Sequence, residues 1–200
     1  MSLWIKVCGL TTPAAVAAAV DAGVDAVGFV FAESKRKVTP QRAAELARDV
    51  PKHIARVAVM LHPSQQELDA VWSGFRPDIL QTDIEDLTSL RIPDGVKVVP
   101  VVRAGRELPQ DLPTRILFEG PVSGTGQTTD WSAAAQLASR TQVILAGGLK
   151  PSNVAAAIAA ARPFGVDVSS GVEAEPGLKD PAKIHEFVRN ARSAGNGATK

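Results

Sequence analysis

Residues 165–171 read Gly-Val-Asp-Val-Ser-Ser-Gly (GVDVSSG), an apolar strand pattern with one carboxylate between two valines and a small, glycine-ended turn behind it. Successive side chains of a strand point to opposite faces, so Val166 and Val168 share one face and Asp167 takes the other. Residues 4–9 (WIKVCG) repeat the pattern with the opposite charge: Ile5 and Val7 lie on one face, Lys6 and Cys8 on the other. A charge turned into a protein interior needs a partner. When the last strand closes against the first, the inward Lys6 and Asp167 meet, and each becomes that partner.

Between these two ends, short runs rich in β-branched residues recur: IKVC, AVGFVF, ARVAVML, DILQT, KVVPVV, RILFEG, QVILAGG and GVDVSSG. Near-continuous apolar runs mark strands of a parallel sheet buried on both faces. Ala-rich segments of helical period lie between several of them, each with a start signal. Thr12 is an N-cap with Pro13 at the first helical position and Gly23 after the end, and Pro40 opens QRAAELARDV, which stops before Pro51. Pro151-Ser152-Asn153 precedes VAAAIAAAR, and Asp180-Pro181 precedes AKIHEFVRNAR. Eight units in 200 residues predict an α/β fold, a single (βα)8 TIM barrel of minimal size, with a doubly wound open sheet as the structural alternative. GRELPQDLP, after the fifth strand, reads as a loop with a poor helix. Residues 1–193 are expected to form the barrel, and 194–200, in the small polar stretch SAGNGATK, a flexible C-terminal tail.

The composition excludes several function classes. With 22 basic and 21 acidic residues the chain has no electrostatic footprint for nucleic acid or an anionic membrane. No apolar run approaches the ~20 residues needed to span a bilayer, and the N-terminal AAVAAAV, broken off from Lys6 by Gly9, Thr11, Thr12 and Pro13, is not a signal peptide. The single cysteine rules out an internal disulfide framework and a Cys-based zinc cluster, so a cytoplasmic protein is expected. His53, His62 and His185 share no metal-ligand spacing, and no metal is assigned.

In a barrel of this kind the chemistry belongs to the C-terminal strand ends. These are Cys8-Gly9, Phe31 to Arg36, Leu61-His62, Gln81-Thr82-Asp83, Arg103, Glu119-Gly120, Gly147-Gly148 and Asp167 to Gly171. The loops LAGGLKPSN and DVSSGV are small enough to let backbone N–H groups approach a phosphate, the leading ligand, although their glycines would also serve simply to turn the chain. SGTGQTTDW is neither a Walker A nor a GxGxxG motif and suits a mobile loop over a site, with Asp130 an ordinary N-cap of WSAAAQLASR. Arg36, in ESKRK, is either solvated loop surface or a bidentate clamp for a carboxylate. Lys6, below Cys8, is expected to favour the thiolate and lower the thiol from its usual ~8.5.

WIKVCG, GFVF followed by Ser34-x-Arg36, SGTGQTTDW, LAGGLKPSNV and GVDVSSGVEAEPGLKD together resemble the phosphoribosylanthranilate isomerases of tryptophan biosynthesis, from the first strand to the last helix. The resemblance implies conversion of N-(5-phosphoribosyl)anthranilate to 1-(o-carboxyphenylamino)-1-deoxyribulose 5-phosphate by a cofactor-free Amadori rearrangement, with one general acid and one general base. It implies Cys8 as base, Asp130 as acid, Arg36 on the anthranilate carboxylate, Asp167 on the amine or sugar hydroxyls, and Gly148, Ser170 and Gly171 in the phosphate cradle. Lys6 and Asp83 are possible supporting residues. The chain departs from the family at strand four, where Gln81-Thr82-Asp83 stands for QLHG, and at strand three, which ends Met60-Leu61-His62. A related phosphate-barrel isomerase acting on a histidine-pathway sugar aminoimidazole is the alternative enzyme, but it would not need Arg36. A catalytically weak phosphate-ligand binding protein is the alternative from another class. A Schiff-base aldolase is disfavoured, because strand six ends Phe118-Glu119-Gly120 without a lysine. The expected assembly is a monomer or homodimer.

Overall fold

The computed structural model describes residues 2–108, 110–121 and 129–197. Eight strands close into one barrel in sequence order: β1 (Trp4–Cys8), β2 (Ala26–Val30), β3 (Ala55–Val59), β4 (Ile79–Asp83), β5 (Lys97–Arg103), β6 (Arg115–Glu119), β7 (Gln142–Leu145) and β8 (Gly165–Val168). All neighbours pair in parallel, and β8 returns to β1 with Asp167 opposite Lys6. That closure excludes the open sheet.

Six helices cover the outside: α1 (Pro13–Asp21), α2 (Pro40–Leu46), α3 (Gln65–Phe75), α4 (Trp131–Ala138), α5 (Val154–Ala161) and α6 (Pro181–Gly197). Their start signals are seen at work. Thr12 Oγ1 accepts from the Ala15 N–H and Thr39 Oγ1 from that of Arg42, each with a proline in the first turn, while Asp180 Oδ1 accepts from Ala182 and Lys183. Asn153 does not cap with its side chain; its Oδ1 accepts from the Lys150 N–H and its Nδ2 donates to Gly148 O, pinning the loop after β7. Two of the eight barrel strands, β4 and β5, are followed by no α-helix among the described residues before the next strand. After β4 there is a 3-10 turn (Ile84–Thr88), and after β5 an irregular segment, because Pro93 and Gly95 in one and the GRELPQDLP composition in the other break a helical run.

α6 runs through Gly197 and so continues past the boundary expected at residue 193. Ala191 is buried, Ala194 packs on the core, and a side chain at Gly195 would meet Leu3 Cβ at 2.7 Å. Small residues thus let the helix end lie flat on the segment leading into β1. Residues 198–200 lie outside the described residues.

Alternation along the strands separates two cores. Ile5, Val7, Val27, Phe29, Leu80, Ile116, Val143 and Val166 face the helices, whereas Ala26, Val57, Ile79, Val99, Val101, Leu117, Ile144 and Ala146 fill the barrel axis. Each larger apolar side chain buried in this way contributes about 1.5–3 kcal/mol. Polar groups enter the axis in the same inward register. Lys6, Gln81 and Asp167 lie inside, and Cys8, Asp83, Arg103 and Glu119 follow at the C-terminal strand ends. No helix among the described residues is long and apolar enough to cross a membrane.

Candidate active site

Cys8 ends β1 with 6% of its surface exposed. Below it, Lys6 Nζ donates to Asp167 Oδ2 at 2.8 Å and to Gln81 Oε1 at 2.7 Å. Room for this lysine comes from Gly28 on β2. A Cβ there would lie 2.8 Å from Lys6 Cε and 3.0 Å from Cys8 Sγ. Asp167 Oδ1 is buried and accepts no hydrogen bond from the described residues, so one lone-pair edge of the carboxylate stays available.

The electrostatics correct one expectation. Burial is the largest influence on Cys8 and pushes its thiol up from the ordinary value; the Lys6 and Lys179 cations pull it down, and the Asp167 carboxylate adds to the rise. Desolvation of a thiolate in this lumen outweighs a lysine whose charge is already shared with Asp167. Lys6 itself is pulled down by burial but raised overall by Asp167 and Cys8, so it remains an ammonium.

Arg36 does not lie on solvated loop surface. Its Nε donates to Glu173 Oε1 at 2.6 Å and its Nη2 to Glu173 Oε2 at 2.9 Å, with the arginine side chain 14% exposed. Behind Glu173 the chain makes a two-stranded hairpin, β9 (Glu173–Glu175) and β10 (Leu178–Lys179), after a 3-10 turn at Ser170–Val172. Lys179 Nζ donates to Glu173 Oε1 at 2.7 Å, and to Ser169 O and Oγ. Glu173, against burial, is held down at about 2 by Arg36 and Lys179.

Gly148 has a left-handed backbone (φ 65°), and a Cβ at Gly171 would sit 1.8 Å from Leu149 O, so the loops after β7 and β8 touch and Gly171 admits no side chain. The N–H groups of Gly148, Ser170 and Gly171 donate to none of the described residues. Asp130 is exposed and acts as the N-cap of α4, its Oδ1 accepting from the Ser132 N–H at 2.8 Å and the Ala133 N–H at 3.2 Å. None of its hydrogen bonds reaches Cys8, Arg36 or Asp167. The residue before it, Thr129, is tied to Ala146 O at 2.6 Å, while residues 122–128, most of the expected mobile loop, lie outside the described residues.

Across the mouth, Asp83 is an ion-pair partner rather than a bare acid. Arg103 Nε and Nη2 donate to its two oxygens at 2.9 and 2.6 Å, and Arg103 Nη1 donates to Glu119 Oε1 at 2.7 Å. His62, from the strand-three departure, places its Nε2 3.8 Å from Asp83 Oδ2 while Asp86 holds its Nδ1 at 2.8 Å. Sequence reasoning assigned no part to Gln81, Gly28, Glu173, Lys179, Arg103 or Glu119. The inward register of Gln81, Arg103 and Glu119 was a signal open to it.

A family model described as N-(5'-phosphoribosyl)anthranilate (PRA) isomerase matches residues 5–190. The chain belongs to this isomerase family. Curated relatives named N-(5'-phosphoribosyl)anthranilate isomerase include one from Listeria welshimeri, 39% identical over 199 residues (94% of this chain, 98% of that protein), and one from Pelobacter propionicus, 36% identical over 206 residues (98% and 99%). Among solved structures, the phosphoribosyl anthranilate isomerase of Thermotoga maritima superposes with a TM-score of 0.82 at 33% identity, covering 96% of this chain and 99% of that one. A phosphoribosyl anthranilate isomerase solved in complex with reduced 1-(o-carboxyphenylamino)-1-deoxyribulose 5-phosphate gives 0.79 at 31% identity, with the same coverage.

Proposed function

We propose that this chain converts N-(5-phosphoribosyl)anthranilate to 1-(o-carboxyphenylamino)-1-deoxyribulose 5-phosphate in tryptophan biosynthesis, with Cys8 as its base. The observation that carries the assignment to this site is the cluster at the β8 and β1 ends. A buried thiol lies above a lysine–aspartate pair with one open carboxylate edge, and an arginine is fixed beside it. In the reaction, Asp130 gives a proton to the furanose oxygen, the C1′–O bond breaks, and the nitrogen lone pair forms a Schiff base. Cys8 then takes the C2′ proton, the C2′–H electrons flow towards nitrogen to give the enol-amine, and this tautomerises to the ketone product. Both steps are general acid–base transfers, and no electrons enter or leave the substrate overall.

The remaining residues prepare these transfers. Arg36 receives the anthranilate carboxylate, Asp167 Oδ1 accepts from the amine or a sugar hydroxyl, and the N–H groups at Gly148, Ser170 and Gly171 take the phosphate. Burial keeps Cys8 mainly a thiol at neutral pH, and the Lys6 and Lys179 charges offset the cost of the thiolate when it forms. For Asp130, proton delivery requires its carboxylate to turn from the α4 N-cap towards the mouth. A substrate without an aromatic carboxylate leaves the Arg36 clamp unused, which disfavours the aminoimidazole alternative. The test is fluorescence-monitored disappearance of freshly generated phosphoribosylanthranilate with the purified protein. Loss at the uncatalysed rate would overturn the assignment.

A further inference from the structure

The segment Glu173 to Lys179 has no part in the acid–base scheme above. Its geometry gives it one. The hairpin is held over the ends of β1 and β2. Thr11 Oγ1 donates to Gly177 O at 3.0 Å, Lys183 Nζ donates to Glu173 O at 2.7 Å, and at Gly177 (φ 91°) a Cβ would lie 2.8 Å from Lys35 O. From this seat an unbroken set of hydrogen bonds runs from Arg36 to the backbone of Cys8. Arg36 forks onto Glu173, Lys179 bridges Glu173 and Ser169, and Ser169 Oγ donates to Cys8 O at 3.1 Å.

An arginine on a loop carries roughly 2 kcal/mol of rotamer entropy, and a planar fork onto a carboxylate removes most of that freedom before a ligand arrives. Glu173 uses Nε and one position on Nη2. Nη1 donates to none of the described residues, so the end of the guanidinium remains able to take a second carboxylate. The Glu173 side chain is 6% exposed and that of Lys179 fully buried, so this carboxylate is neither a rim charge nor a competitor from solvent. Two cations share one anion here, and the excess positive charge keeps the assembly attractive to an anionic ligand.

We propose that Glu173 and Lys179 are positioning residues for the isomerisation. Glu173 presents Arg36 to the aromatic carboxylate of the substrate, and Lys179 ties that clamp to the strand end carrying Cys8. The proposal rests on the reading that Arg36 receives the carboxylate and Cys8 the proton.

The test compares Glu173→Gln, Glu173→Asp, Lys179→Met, Arg36→Met and the double variant Glu173→Gln/Arg36→Met. Steady-state kinetics is combined with titration of reduced 1-(o-carboxyphenylamino)-1-deoxyribulose 5-phosphate and of inorganic phosphate. Glu173→Gln is expected to raise KM and the analogue Kd about tenfold, with kcat and phosphate affinity little changed, because one charge-assisted contact to the clamp is lost. In the Arg36→Met background it is expected to add nothing. Glu173→Asp, which keeps the charge and shortens the reach, should fall between wild type and Gln, and it carries the test if the Gln variant does not fold. Lys179→Met should lower kcat and move the pH profile of Cys8 alkylation upward, since a cation near the thiol is gone. A Glu173→Gln effect that is additive with Arg36→Met, or confined to thermal stability, overturns the proposal. So does an alkylation profile unmoved by Lys179→Met. If Arg36→Met leaves KM unchanged, the reading of Arg36 falls and takes the proposal with it; if Arg36→Met raises KM and Glu173→Gln does not, the proposal alone falls.

Discussion

The two walls of the barrel mouth are built from the same residue types and arranged for opposite purposes. On the β8–β1 wall, Lys6 holds only one oxygen of Asp167, the other has no hydrogen-bond partner among the described residues, and a thiol lies beside them. On the β4–β6 wall, Arg103 occupies both oxygens of Asp83 and reaches Glu119 as well. Among the described residues, one wall keeps a carboxylate oxygen in reserve and the other has both oxygens of its buried aspartate engaged. The difference teaches where to look for chemistry: a buried ion pair marks a reaction site when it is left incomplete, and a scaffold when it is closed. At the strand-four end the charge of the buried Asp83 is matched by Arg103.

The largest effects should test the pairs themselves. Lys6→Met and Arg103→Met each strand a buried carboxylate, at a cost of about 3–5 kcal/mol, seen as a fall in Tm on the order of 10 °C. The walls should part in kinetics. Lys6→Met is expected to lower kcat roughly tenfold or more, and Arg103→Met to keep it within about threefold once the folded fraction is counted. Equal losses of kcat would erase the distinction between the walls.

Next come the two residues proposed for proton transfer. Cys8→Ala and Asp130→Asn should each lower kcat by at least ~10², with binding of the reduced product analogue retained. Near-wild-type turnover in either variant removes that residue from the mechanism. Gly28→Ala, which pushes a methyl group against Lys6 Cε and Cys8 Sγ, should cost about 1–3 kcal/mol in chemical denaturation and slow thiol alkylation. An unchanged stability would mean that β2 yields freely at this point.

Two pH measurements follow. Burial pushes the Cys8 thiol up from its ordinary value, so kcat/KM and the alkylation rate should still be rising well above neutral pH, and Lys6→Met should move the alkylation curve higher because a cation that favours the thiolate is gone. A plateau at neutral pH would contradict this. Glu173, depressed from 4.5 to about 2, contributes stability that is complete above pH 4.5 and fades as pH falls towards 2. Glu173→Gln should therefore flatten the acid limb of the stability curve, a small change best seen by acid titration of ellipticity.

The strands were legible because each is a short apolar run, and the inward Lys6–Asp167 pair because a period of two leaves no other face. The helix after β3 is absent from the sequence reading, although Ser64 and Glu67 form a capping box, with the Ser64 N–H donating to Glu67 Oε2 at 2.7 Å. Other features were not legible. β9 and β10 are too short to show a period. Arg103 meets Asp83 and Glu119 only through the registers of three strands, which no local pattern encodes. The direction of the Cys8 shift depends on weighing burial against two cations, one of them on the hairpin. For Asp130 the modest N-cap reading describes its contacts, while the catalytic one depends on a turn towards the mouth.

The absence of a side chain at Gly28 has a wider consequence. It lets one lysine touch four strands at once, β1 by attachment, β2 through that glycine, β4 through Gln81 and β8 through Asp167. The last of these contacts joins positions 161 residues apart in the chain. Until β8 docks, Lys6 lacks its counter-ion and the thiol lacks its finished surroundings. Sealing the barrel and completing the surroundings of the thiol are therefore a single event.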